Sequence, residues 1–242
     1  MLLAPYRVLD LTNDLGFLAG KIFGDLGAQV IKVEPPAGDP SRRKPPFLKD
    51  HSESLYWEAY NSNKRGITLD LSQQNGRELF CRLAKTADFV IESFKPGTLR
   101  EWGLDYETLS RENPGLILVT ITPFGSEGPY RDFAASDLEI MALSGAMSLA
   151  GEKDGEPMRV SVPQAPMWVG AEAVMGALTA LAYRTLTGKG QHVDVSAQVA
   201  VMAALAHAPA FWDFGQHRPK TGQDRLRNKK TGKRPETIFI VK

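Results

Sequence analysis

One cysteine and four histidines in 242 residues leave little material for a metal centre, a disulfide framework or a thiol nucleophile. Cys81 has no partner for an internal disulfide, and His51, His192, His207 and His217 are scattered without ligand spacing, so no metal is expected. No charged leader followed by an apolar run opens the sequence, and a reducing cytoplasm is the expected compartment. Charge of one sign is also missing. With 29 Lys+Arg against 28 Asp+Glu, the net charge of +1 gives no reason to expect nucleic acid as partner. The one local excess is at residues 218–234, where eight Lys/Arg face the single Asp224, and it reads as a basic connector. Residues 165–183 are nearly free of charge. They include Pro166, Glu172 and many small side chains, which fits a packed core helix and not a lipid-facing span, so no membrane is expected. Walker A and G-x-S-x-G sequences are absent as well.

What is there reads as α/β. Residues 6–11 (YRVLDL) form a strand, 17–26 a helix ended by Gly27 as a C′ glycine, and 29–34 (QVIKVE) a second strand, making a compact βαβ unit. The unit repeats. A strand over 67–71, Ser72 as helix cap, a helix over 73–86 with Leu79, Phe80, Leu83 and Ala84 inward, and a strand over 89–92 follow in order. Residues 116–122 (LILVTIT) read as a strand buried on both faces. Parallel pairing of about five strands by residue 122 is expected, with ligand sites at their carboxyl ends. Helices are then expected over 137–149, 165–186 and 196–212, with an extended stretch at 192–195 and a new strand starting at Ile238. An ending inside that strand suggests a chain incomplete at its C-terminus, organised as a large domain over 1–214 and a basic connector with the start of a further strand over 215–242.

The first βα turn (DLTNDLGFLAG, residues 10–20) lacks G-x-G-x-x-G. Gly16 and Gly20 are its only glycines for close backbone approach, and Glu34 stands where a ribose-binding acid would, which is weak support for a nicotinamide cofactor. NAD is not expected.

Five longer phrases occur in a telling order: GDLGAQVIKVEPP from Gly24 with GDPSR from Gly38, NKRGITLDL from Asn63, ADFVIESFKPG from Ala87, ITPFGSEGP from Ile121 and TGKGQHVDVS from Thr187. Together they resemble the class III coenzyme A transferases, the CaiB/BaiF group that includes formyl-CoA transferase, carnitine CoA-transferase and the α-methylacyl-CoA racemases. The resemblance implies a Rossmann-like parallel sheet flanked by helices, interlocked dimers, and exchange of coenzyme A between an acyl-CoA and a carboxylic acid. The chemistry would pass through an aspartyl anhydride and an aspartyl-CoA thioester.

By position, the resemblance implies that Asp14, Leu15 and Gly16 contact CoA. It also places Arg42 at the adenosine phosphate end, Leu69 beside the adenine, and Ser93 and Phe94 along the pantetheine path. One departure stands out. Aligning Gly170 and GALTAL from Gly176 with the helix after the family's nucleophile puts Pro166 where the catalytic Asp belongs. Glu172, roughly one and a half helical turns further on, is the nearest substitute carboxylate. Ser136, just before Asp137, stands where racemases carry a His, so racemase chemistry is not expected. The reading is a non-catalytic subunit, or the first half of a tandem enzyme, whose homologous partner supplies the Asp. An active transferase or racemase using Glu172, and a CoA-ester-binding protein without activity, are the alternatives.

Overall fold

The computed structural model describes residues 1–49, 53–150, 156–206 and 208. Strands β1 (Arg7–Leu11), β2 (Gln29–Glu34), β3 (Arg65–Thr68), β4 (Phe89–Glu92), β5 (Ile117–Thr122) and β6 (His192–Ser196) form one sheet in the order β3-β2-β1-β4-β5-β6. Every pairing is parallel. The helices are α1 (Phe17–Asp25), α2 (Leu55–Asn61), α3 (Gln74–Ala84), α4 (Thr98–Glu101), α5 (Tyr106–Glu112), α6 (Asp137–Leu143), α7 (Ala146–Leu149), α8 (Ala165–Thr187) and α9 (Ala197–Ala204).

The central strands form because their residues are apolar or β-branched on both faces, and β4 and β5 are buried at every position. Each face has its own core. Val8, Phe89, Ile91, Ile117 and Val119 pack against α1, with its buried Phe23, and the small residues of α8. Leu9, Leu11, Phe80, Val90, Leu104 and Leu118 pack on the opposite face, which carries α3 and α5. At about 25 cal/mol per Å2 of apolar surface, each fully buried Phe or Leu contributes about 1.5–3 kcal/mol.

Several local expectations are corrected. β3 spans Arg65–Thr68, not 67–71, because Ile67 pairs with Val33 on an exposed edge where the apolar pattern is thin. Ser72 does not cap α3: its hydroxyl and its backbone N–H both donate to the Asp70 carboxylate, and the helix starts one residue later from Gln73. Leu79 is exposed, while Phe80 and Ala84 carry the buried face. The helix expected over 137–149 is broken at Gly145, whose φ of 85° is left-handed and separates α6 from α7. Ser196 caps α9 by accepting the Val199 N–H. The expected continuation of that helix past residue 208, the connector over 215–242, the strand at Ile238, His51, and the side chains of His207 and His217 lie outside the described residues.

α8 is long and apolar enough to cross a membrane by length and composition. One stripe of it, with Val169, Gly170, Ala173, Ala177 and Ala180, is buried against α1, α9 and the sheet. Gly170 permits the approach to α1, since a Cβ there would lie 2.8 Å from the Leu18 side chain. Its other face exposes Trp168, Met175, Tyr183 and Leu186.

Candidate active site

The strand order reverses between β1 and β4, and in an open parallel sheet that point opens a crevice at the carboxyl ends of the strands. Two loops meet there. The Asn13 N–H donates to Ser93 Oγ at 2.7 Å, its side-chain amide donates to the Ser93 carbonyl at 3.2 Å, and its amide oxygen accepts the Leu15 N–H at 3.0 Å. Asn13 thus stitches the turn after β1 to the turn after β4. Sequence reasoning missed it, since nothing about a lone Asn in a turn signals a partner 80 residues away.

Two cavities flank this stitch and share Asn13, Ser93 and Phe94. The larger, about 750 Å3, also takes in Asp14, Leu15 and Pro166. The smaller, about 320 Å3, is walled by Leu69, Glu34 and Trp102. Asp14, Leu15, Ser93, Phe94 and Leu69 therefore come to these adjoining cavities from three chain segments.

Two other expected site residues lie apart. Gly16 is the N-cap of α1 and lines neither cavity; a Cβ on it would sit 2.6 Å from the Thr12 methyl, so its bareness serves the protein's own packing. Gly20 is similar: a Cβ there would lie 2.1 Å from Asp10 Oδ2 and 2.8 Å from Lys64 Nζ. Arg42 is also outside the lining. Its Nε and Nη2 donate to the two Glu34 carboxylate oxygens, each at 2.7 Å, and its guanidinium lies 4.1 Å from the Trp57 ring centroid. Burial works to raise the Glu34 pKa, but the Arg42 hydrogen bonds and the Asp39 N–H outweigh it and hold the carboxyl below its ordinary value. The acid in the ribose-binding position is thus already fastened to an arginine.

The larger cavity meets the start of α8. Pro166 lines it as the second residue of that helix, where a missing N–H costs nothing. Glu172 is partly buried further along α8 and is not among the lining residues. Asp137 is the cavity carboxylate next to the start of this helix: its Oδ1 accepts the N–H groups of Gln164 at 2.7 Å and Ala165 at 2.8 Å, satisfying amides that a helix start leaves open. Ser136 is the N-cap of α6 in a capping box with Glu139. The cavity wall is otherwise cationic in part, with Lys44, Lys95, Arg131 and Arg159; Lys44 contacts Asp14, and Arg131 contacts Asp132. Among the described residues no group of three or more His, Cys, Asp or Glu is placed to hold a metal ion.

A parallel sheet of this order, with paired cavities at its reversal, defines a Rossmann-like α/β protein. The chain belongs to CoA-transferase family III, whose model matches residues 3–240. It is similar to the succinyl-CoA:(R)-benzylsuccinate CoA-transferase subunit BbsE of Thauera aromatica, with 44% identity over 212 residues, 86% of this chain and 52% of that protein. Succinate–glutarate CoA-transferase of Agrobacterium fabrum is 42% identical over 212 residues, 85% of this chain and 53% of that one. A CAIB/BAIF family protein from Brucella suis, known from a crystal structure, superposes with a TM-score of 0.82 at 41% identity, covering 87% of this chain and 57% of the other. The chain spans about half the length of the curated relatives it matches.

Proposed function

We propose that the protein takes part in transferring coenzyme A between an acyl-CoA and a free carboxylic acid, as a supporting subunit or half whose homologous partner provides the nucleophilic aspartate. The observation that supports this reading is that Pro166 lines the same cavity as Asp14, Leu15, Ser93 and Phe94; the resemblance puts it at the family position of the nucleophile, and proline has no group that can attack a thioester. Asp14, Leu15, Gly16, Leu69, Ser93 and Phe94 form or back the CoA path. Arg42 acts at its phosphate end by holding Glu34, with one guanidinium nitrogen, Nη1, outside that ion pair. The cytoplasm is the proposed compartment, and an interlocked dimer with the partner chain is the proposed assembly. The acid is a dicarboxylate: relatives are named for benzylsuccinate and glutarate, and four cations line the larger cavity.

Intact-mass spectrometry after incubation with succinyl-CoA tests the reading. The wild-type chain alone should gain no covalent CoA. Pro166→Asp should gain a CoA thioester, because its new carboxylate attacks the acyl carbonyl, expels CoA thiolate, and the thiolate then displaces succinate from the resulting anhydride. A CoA adduct on Glu172 of the wild-type chain would overturn the supporting role and make this chain the catalyst.

A further inference from the structure

Beneath the first turn lies a cluster of charges that neither cavity touches. Asp10 is fully buried, and the side chains of Lys32 and Lys64 are 3% and 1% exposed. Lys32 Nζ lies 3.3 Å from Asp10 Oδ1, and Lys64 Nζ lies 2.8 Å from Asp10 Oδ2. Both ammonium groups also sit over the Phe17 ring, 5.0 and 5.4 Å from its centroid. Glu34 is the next carboxylate to feel Lys32, and Arg42 already neutralises it. Two buried cations therefore share one anion.

Burying an ion costs several kcal/mol even with a partner, so a single Lys–Asp pair would suit stability better than this triad. Burial depresses the Lys64 pKa against the pull of Asp10, as an ammonium in excess should show. What the second cation adds is backbone contact. Lys32 Nζ donates to the Thr12 carbonyl, and Lys64 Nζ donates to the Phe17 carbonyl at 3.1 Å. Asp10 Oδ1 accepts the Thr12 N–H at 2.9 Å and the Thr12 hydroxyl at 2.6 Å. Both ends of the segment that presents Asn13, Asp14 and Leu15 to the cavities are tied to the same node.

We propose that Lys32 and Lys64 are positioning residues that hold the 12–17 turn in its ligand-binding shape, each tying one end of it, at a cost in stability. The ligand part of this rests on the CoA reading above; the turn-holding part does not. Removing one lysine leaves Asp10 with one cation, a matched pair, so the fold tolerates the loss while one end of the turn is freed.

The test uses the full chain as Lys32→Met and, separately, Lys64→Met. Calorimetry should find each Tm equal to or above wild type. Hydrogen exchange at the amides of residues 13–17 should quicken about tenfold with the rest of the sheet unchanged, and CoA affinity by titration calorimetry should fall about tenfold. A lowered Tm, or failure of both variants to fold, would make the lysines a structural brace and overturn the proposal. Unchanged exchange at the turn would overturn it too, as would faster exchange with CoA affinity intact. If wild-type protein binds no CoA, the functional reading fails, and exchange at the turn still decides whether the lysines hold it.

Discussion

Asp10 and Glu92 are buried carboxyls on adjacent strands, one residue apart in register, and they face opposite sides of the sheet. Burial pushes both pKa values up. At Asp10 the charges of Lys32 and Lys64, with hydrogen bonds from Lys64 and Thr12, overcome it and bring the pKa down from 3.8 to about 2. At Glu92 only the Phe94 N–H, at 2.7 Å, and the Thr120 hydroxyl oppose it, Asp194 adds to it, and the pKa rises from 4.5 to about 7. Depth alone does not decide whether a carboxyl keeps its charge; the cations within reach do. The ionised acid lies under the first turn. The acid that is half neutral near pH 7 fastens the backbone of Phe94.

Removing the anion from the first site breaks the comparison most severely. Asp10→Asn leaves two buried ammonium groups without a counter-charge and should destabilise the fold by roughly 3–5 kcal/mol in urea denaturation at pH 7. At the second site the sign reverses with pH. A carboxyl whose folded pKa is raised disfavours the folded state as it ionises, so wild-type stability should decline as pH rises from about 4.5 to 7 and level off above. Glu92→Gln should flatten that slope and be more stable than wild type at pH 8 by roughly 3 kcal/mol, read from denaturation curves across pH 4.5–8. The Asp10 contribution behaves oppositely, present above the ordinary carboxylate range and lost as pH falls toward 2.

Gly20→Ala sharpens the comparison by pushing a methyl into the Asp10–Lys64 contact and nowhere near Glu92. A loss of roughly 1–3 kcal/mol in Tm-derived stability is expected, with the Glu92 pH slope retained. The smallest effect belongs to the surface. Lys85 and Glu112 form an exposed pair at 2.9 Å, and Lys85→Ala should leave Tm unchanged by calorimetry.

The strands that carry these acids were legible because β1, β2, β4 and β5 are dense in Val, Ile, Leu and Phe, a pattern that survives any tertiary context. β3 was placed late because an edge strand with one half-buried residue, Ile67, has almost no pattern. Within the site, Asp14, Leu15, Leu69, Ser93 and Phe94 came from phrase resemblance, and the structure brings those five residues to the two cavities. Asn13, Asp137 and the lysine pair were not found, because each acts on a segment 20 or more residues distant. A usable signal did exist for one. Lys32 interrupts QVIKVE, and a lysine in a strand buried on both faces has to find a carboxylate. Asp10 is its direct neighbour in the β1–β2 register.

Pro166 has a further consequence for how such a chain diverges. The first turn of a helix accepts proline because its nitrogen has no bond to lose, and it accepts aspartate because the helix dipole favours an anion there. With Asp137 already securing the amides of Gln164 and Ala165, neither proline nor aspartate at 166 is needed to cap them. On the function proposed above, a change at this one site would retire or reinstate a nucleophile with little demand on the scaffold.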